Sequence, residues 1–81
     1  MHELAITEQI VRMVTKQAEE AGVQAVTQIR LVAPERWEYA AESIRLYFGM
    51  ITEGTICEGA LLEFERSPAN EFYLDSIEVI T

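Results

Sequence analysis

The sequence predicts an α+β fold: a two-layer sandwich with two helices packed on one face of a three-stranded sheet, in the order α-β-α-β-β. Three observations carry this. Two long stretches repeat apolar residues at helical spacing. Three shorter stretches are β-branched or alternate apolar with polar residues, and Gly, Pro, Ser or Asn bound them. Finally, 81 residues allow one modest core and no second lobe, because a chain of this size buries only about 60–65% of the surface its unfolded form exposes. Residues 1–81 are therefore expected to form a single domain.

The first helix is expected from Leu4 to Ala21. Ile6, Ile10, Met13, Val14 and Ala18 share one face, and Leu4 and Val11 widen it. Thr7, Glu8, Gln9, Arg12, Lys16, Glu19 and Glu20 occupy the rest of the surface. Gly22 is placed to stop the helix with a left-handed residue. Ala25 to Val32 reads as a strand, with Thr27, Ile29 and Leu31 on one face, and Pro34 breaks it. The second helix is expected from Glu35 to Thr52, carrying the stripe Trp37, Ala41, Ile44, Phe48 and Ile51. Gly49 inside it costs about 1 kcal/mol against alanine and suggests the close approach of another element. Gly54 ends that helix, and Thr55 to Gly59 connect it to the next strand.

Ala60 to Arg66 reads as a strand with Leu62 and Phe64 on one face and Leu61, Glu63 and Glu65 on the other. Ser67-Pro68-Ala69-Asn70 is a turn, expected to join two neighbouring strands. The last strand runs from Glu71 to Ile80, with Tyr73, Ile77 and Val79 inward. Phe72 and Leu74 fall on the opposite parity, which predicts a face-swapping bulge at Asp75-Ser76.

Composition narrows the function. Six basic and fourteen acidic residues leave a net charge of −8. Nucleic acid and anionic membranes repel such a surface, so neither is expected as a partner. No apolar run approaches the roughly 18 residues of a membrane span, and no basic-then-apolar leader opens the chain. A cytoplasmic location is the expectation. The single cysteine, Cys57, excludes an internal disulfide and a multi-cysteine zinc site within one chain, and reads as a small packed apolar residue. Catalytic patterns are scarce. The glycines at 22, 49, 54 and 59 form no phosphate loop, and Ser43, Ser67 and Ser76 have no candidate base except His2. An enzyme is not expected.

The chemistry that remains lies in Met1-His2-Glu3. A histidine at position two sits one amide away from a free α-amine. Amine, amide nitrogen and imidazole then close adjacent chelate rings on one ion. Nitrogen donors in a plane suit Ni(II) or Cu(II), whereas zinc prefers a tetrahedron. The bulky His2 also disfavours removal of the initiator methionine. The ordinary alternative is an exposed histidine on a frayed terminus. Glu35 and Glu38 are further carboxylates that could approach, although acids at a helix start need no ligand to explain them.

The segments Met1-His2-Glu3-Leu4, Ile6-x-x-x-Ile10-Val11, Val26-Thr27-Gln28-Ile29-Arg30-Leu31, Glu42-Ser43-Ile44-Arg45-Leu46-Tyr47-Phe48, Thr52-Glu53-Gly54-Thr55-Ile56-Cys57-Glu58-Gly59-Ala60 and Asp75-Ser76-Ile77-Glu78-Val79 together resemble the HypA/HybF family of hydrogenase nickel-incorporation proteins. The resemblance extends over nearly the whole chain. It implies nickel binding at Met1, His2 and Glu3: His2 as ligand, the Met1 amine and nearby backbone as co-ligands, and Glu3 as a supporting acid. It also implies a metallochaperone that works with a nickel-maturation GTPase and delivers to a hydrogenase large subunit. The family carries a zinc module with two CxxC pairs between its last two core strands, where this sequence has only the turn 67–70. No zinc is therefore expected. Pro34 and Ala41 also depart from the family pattern. Two readings follow: a zinc-less nickel metallochaperone or accessory protein, and an interaction or regulatory paralogue that kept the fold, lost nickel delivery and pairs with a relative or with itself, as a homodimer, through a sheet edge.

Overall fold

A computed structural model describes residues 2–81. Its elements are α1 (His2–Ala21), β1 (Ala25–Pro34), α2 (Ala41–Ile51), β2 (Leu61–Ser67) and β3 (Tyr73–Ile80). The expected α-β-α-β-β order and α+β class hold. The sheet order is β2-β1-β3, with β1 parallel to β2 and antiparallel to β3. A parallel pair needs a crossover connection, and α2 supplies it.

Helix α1 forms where its periodicity says it must, and Ile10, Val14 and Ala18 are fully buried. It ends in a Schellman arrangement. Gly22 takes φ +68°, its N–H donates to the Glu19 carbonyl, and the Val23 N–H donates to Ala18. Thr7, expected at the surface, is buried instead. Its hydroxyl donates to the Glu3 carbonyl at 2.6 Å, which satisfies the buried group within the helix.

Three expectations are corrected. First, residues 67–70 do not join neighbouring strands, because β1 lies between β2 and β3. Residues 68–72 carry the chain past the end of β1, a span of two strand spacings or about 10 Å. Second, the helix expected from Glu35 starts at Ala41. Strand β1 runs two residues beyond Val32, pairing through Pro34 with Ser67, and the Glu35 N–H prolongs the ladder by donating to the Ser67 carbonyl at 2.8 Å. A turn follows, closed by the Trp37 N–H on the Pro34 carbonyl at 3.1 Å. Trp37 matches the helical stripe only through its spacing; its ring instead pairs with Tyr39, Phe64 and Phe72. Ala41, Ile44 and Phe48 remain on the helix, while Ile51 is 39% exposed.

Third, the inward faces of two strands shift. On β1 the pairs Val26↔Val79 and Gln28↔Glu78 leave Thr27 as an extra residue, so Val26 turns inward and Thr27 outward. On β3 the pairs Arg30↔Ser76 and Leu31↔Leu74 leave Asp75 extra, the bulge its broken parity predicts. That bulge puts Leu74 with Ile77 and Val79 against the core, and leaves Tyr73 exposed. Strand β2 follows its alternation, with Leu62 buried and Leu61 exposed.

One apolar cluster joins α1, α2 and the inner sheet face through Ile10, Val14, Ile29, Leu31, Phe48 and Leu62. The outer face is polar, with Gln28 and Arg30 both donating to the Glu63 carboxylate. Cys57 is fully buried in the cluster, and burial raises its thiol above the ordinary range, consistent with a packing role.

Gly49 has no close neighbour. A Cβ built there meets nothing within 4 Å, so the expected close approach does not occur. The backbone entropy of this helical glycine is then uncompensated. Gly49→Ala is expected to stabilise the fold by about 0.5–1 kcal/mol, raising the thermal midpoint by several degrees in a calorimetric melt. An unchanged or lower midpoint would contradict this.

Candidate metal site at the start of the first helix

His2 is the first residue of α1. The first four N–H groups of a helix have no intrahelical acceptor, so the His2 amide is one such orphan. Its imidazole is exposed. Met1, the expected amine donor, lies outside the described residues. Glu3 is engaged elsewhere: its Oε2 accepts from the Ala40 N–H at 3.2 Å, immediately before α2. That bond, and next the N–H of Glu3 itself, lower the pKa of the carboxyl. Glu3 therefore ties the entry of α2 to the first turn of α1, besides standing next to His2.

This contact has a pH signature. A depressed folded pKa means the bond contributes at neutral pH and is lost as the pH falls through that folded value. The Ala40 amide resonance should titrate in the acid range with a midpoint below that of an ordinary glutamate. It should not titrate in Glu3→Ala. A pH-independent Ala40 amide in the unsubstituted protein would show that the bond does not form in solution.

Beside His2 lies an open groove of about 550 Å³, lined by His2, Glu3, Pro34, Arg36, Trp37, Glu38, Tyr39 and Asn70. The His2 ring meets the Tyr39 ring edge-on, with centroids 6.3 Å apart and planes at 63°. Tyr39 in turn packs on Trp37 at 5.1 Å. Trp37 is stacked on Phe72 at 5.0 Å, and the Arg66 guanidinium lies 5.6 Å from its ring. Of the two further candidate carboxylates, Glu38 lines this groove. Glu35 lines a neighbouring one with Pro68 and Asn70. Neither belongs to a helix, so a helix-start preference does not explain them.

Among the described residues no three or more His, Cys, Asp or Glu side chains converge to hold a metal. A metal held at His2 would draw on backbone nitrogen as well as the imidazole. That donor set suits a planar nitrogen-preferring ion. Sequence reasoning misses Arg36, Tyr39 and Asn70 as neighbours of His2. No local pattern marks them, because the crossover of 35–40 and the passage of 68–72 around β1 bring them there. Among the described residues, no helix is long and apolar enough to cross a membrane.

Comparison with known proteins agrees with the architecture. Residues 1–75 match the family described as hydrogenase/urease nickel incorporation, metallochaperone, hypA. The chain is 39% identical over 69 residues to hydrogenase maturation factor HypA of Dehalococcoides mccartyi, covering 85% of this chain and 58% of that relative. It is 38% identical over 70 residues to the protein of the same name from Archaeoglobus fulgidus, covering 86% and 64%. The chain thus spans a little over half the length of these curated relatives. The solution structure of the Ni metallochaperone HypA from Helicobacter pylori superposes with a TM-score of 0.78 at 12% identity, covering 96% of this chain and 97% of that one. This last likeness establishes the fold.

Proposed function

This chain belongs to the HypA family of hydrogenase/urease nickel-incorporation metallochaperones, and we propose that it takes nickel as cargo on the Met1 amine, the His2 amide nitrogen and the His2 imidazole. The observation that carries this reading is the placement of His2. It opens α1, so its amide has no helical acceptor, and its imidazole stands exposed at the groove. Glu3 acts as the supporting acid, whose negative charge favours a bound cation while one oxygen holds Ala40. The protein is a carrier and not a catalyst. The recipient is a nickel enzyme of the [NiFe]-hydrogenase type, and the working partners are a nickel-maturation GTPase and the hydrogenase large subunit.

The reading includes a single nickel-binding core without a zinc module. Cys57 is the only cysteine of the sequence, and it is buried in the core. The turn at residues 67–70 leads out of β2 toward β3, where the family places that module.

Calorimetric titration with Ni(II) tests the proposal on protein with its native terminus. One equivalent should bind, and His2→Ala should abolish binding. Equal binding by both proteins, or by neither, would sink it. A second reading, an interaction paralogue, draws on the sheet edges. Both β2 and β3 are outer strands, with Leu61 56% and Ile80 54% exposed. Light scattering and partner pull-down decide that one: a strict monomer that retains no partner argues against it.

A further inference from the structure

The nickel reading leaves the aromatic side chains beside His2 without a role. We infer that Tyr39 is a positioning residue for the His2 imidazole, held in place for that purpose by the Trp37 stack. This deepens the proposed nickel site and rests on it.

The starting point is a cost. An exposed histidine on the first turn of a helix samples several side-chain rotamers, and binding a metal must freeze one of them. A neighbouring ring that restricts the imidazole beforehand reduces that loss. Tyr39 is placed to do this, with its ring edge-on to His2 at 6.3 Å.

Tyr39 is itself fixed from behind. It packs at 5.1 Å on Trp37, which stacks at 5.0 Å on Phe72. The backbone on either side is pinned too: the Trp37 N–H donates to Pro34, and the Ala40 N–H donates to Glu3. The Glu3 bond also ties residue 40, next to Tyr39, to the first turn of α1 that carries His2. Trp37 and Tyr39 both pack, half-buried, against the core, and Tyr39 in addition meets the exposed His2 imidazole edge-on.

Two readouts test this, one without metal. In the metal-free protein, NOEs should connect the ring protons of His2 and Tyr39. They should persist in Tyr39→Phe, which keeps an aromatic ring at that position, and their absence from the unsubstituted protein would overturn the inference. For nickel, Tyr39→Ala should weaken binding roughly two- to ten-fold, the worth of one aromatic edge contact, while Tyr39→Phe binds like the unsubstituted protein. Thermal melts of both variants show whether the fold survives. If Tyr39→Ala binds nickel as tightly as the unsubstituted protein, or more tightly, the positioning role fails and the nickel site stands. If the unsubstituted protein keeps the NOEs but takes up no nickel, the nickel site fails and this role with it.

Discussion

Replacing Trp37 with alanine should lower stability by about 3 kcal/mol, near the bottom of the range for removing a large aromatic side chain from a core because Trp37 is only half-buried. For a domain of this size that corresponds to a fall of roughly 12–24 °C in the thermal midpoint. The size of the effect follows from what the indole touches. It packs on Tyr39, Phe64 and Phe72, and the Arg66 guanidinium lies over it. These partners come from the crossover segment, from β2 and from the residue preceding β3. One ring thus joins three stretches of chain at the end of the sheet where β1 finishes. Trp37→Phe keeps part of the apolar area and should recover about half of the loss. The substitution should also act at a distance from the core. With the indole gone, residues 35–40 lose their main anchor, and amide exchange at positions 37 and 40 should accelerate more than exchange in β1. A midpoint within about 3 °C of the unsubstituted protein would show that this cluster contributes little to the fold.

Trp37 also shows where the sequence is legible and where it is not. The apolar period places α1 almost to the residue at its C-terminus, because Gly22 follows immediately and takes φ +68°. Alternation sets the faces of β2, where Leu62 points inward and its neighbours Leu61 and Glu63 take the opposite parity. The Asp75 bulge is readable because Phe72 and Leu74 break parity with Ile77 and Val79. The Thr27 bulge is not readable, since Val26 and Thr27 are both β-branched and either suits a strand interior. Trp37 misleads because 37, 41, 44 and 48 are helically spaced, whether or not the first of them belongs to the helix. Strand pairing decides that question: β1 stays in register with β2 through Pro34, and no local pattern encodes that length. The same holds for the site. His2 stands out because it directly follows Met1 in the sequence. Tyr39 and the Ala40 amide reach the first turn of α1 through tertiary contacts 37 residues along the chain, and neither carries a signal in its own sequence neighbourhood.

The α-amine gives the sharpest test of the metal chemistry, because two additions to the terminus should act in opposite directions. In the proposed Met1-His2 chelate the donors are the amine, one amide nitrogen and the imidazole, which would close a five-membered and a six-membered ring. Acetylating the amine removes one of three donors. Losing an outer-shell partner of a metal ligand already costs about 10–100-fold, so losing a ligand itself should weaken nickel binding by more than about 100-fold. Adding a single glycine ahead of Met1 does something different. It moves the histidine to the third position, so that the new amine, two amide nitrogens and the imidazole close three fused rings and fill a planar four-nitrogen site. That variant should bind nickel more tightly than the native terminus, and the bound ion should show the yellow d–d absorption of planar Ni(II). The amide nitrogens, and the α-amine where it is free, must lose protons to bind, so the affinity of each form should climb with pH, most steeply for the glycine extension. If acetylation and the glycine extension leave nickel binding equal to that of the native terminus, the ion is held by side chains elsewhere, and the terminal chelate is wrong. If the glycine extension also weakens binding, the added residue does not complete a planar four-nitrogen site, and the prediction for that variant fails.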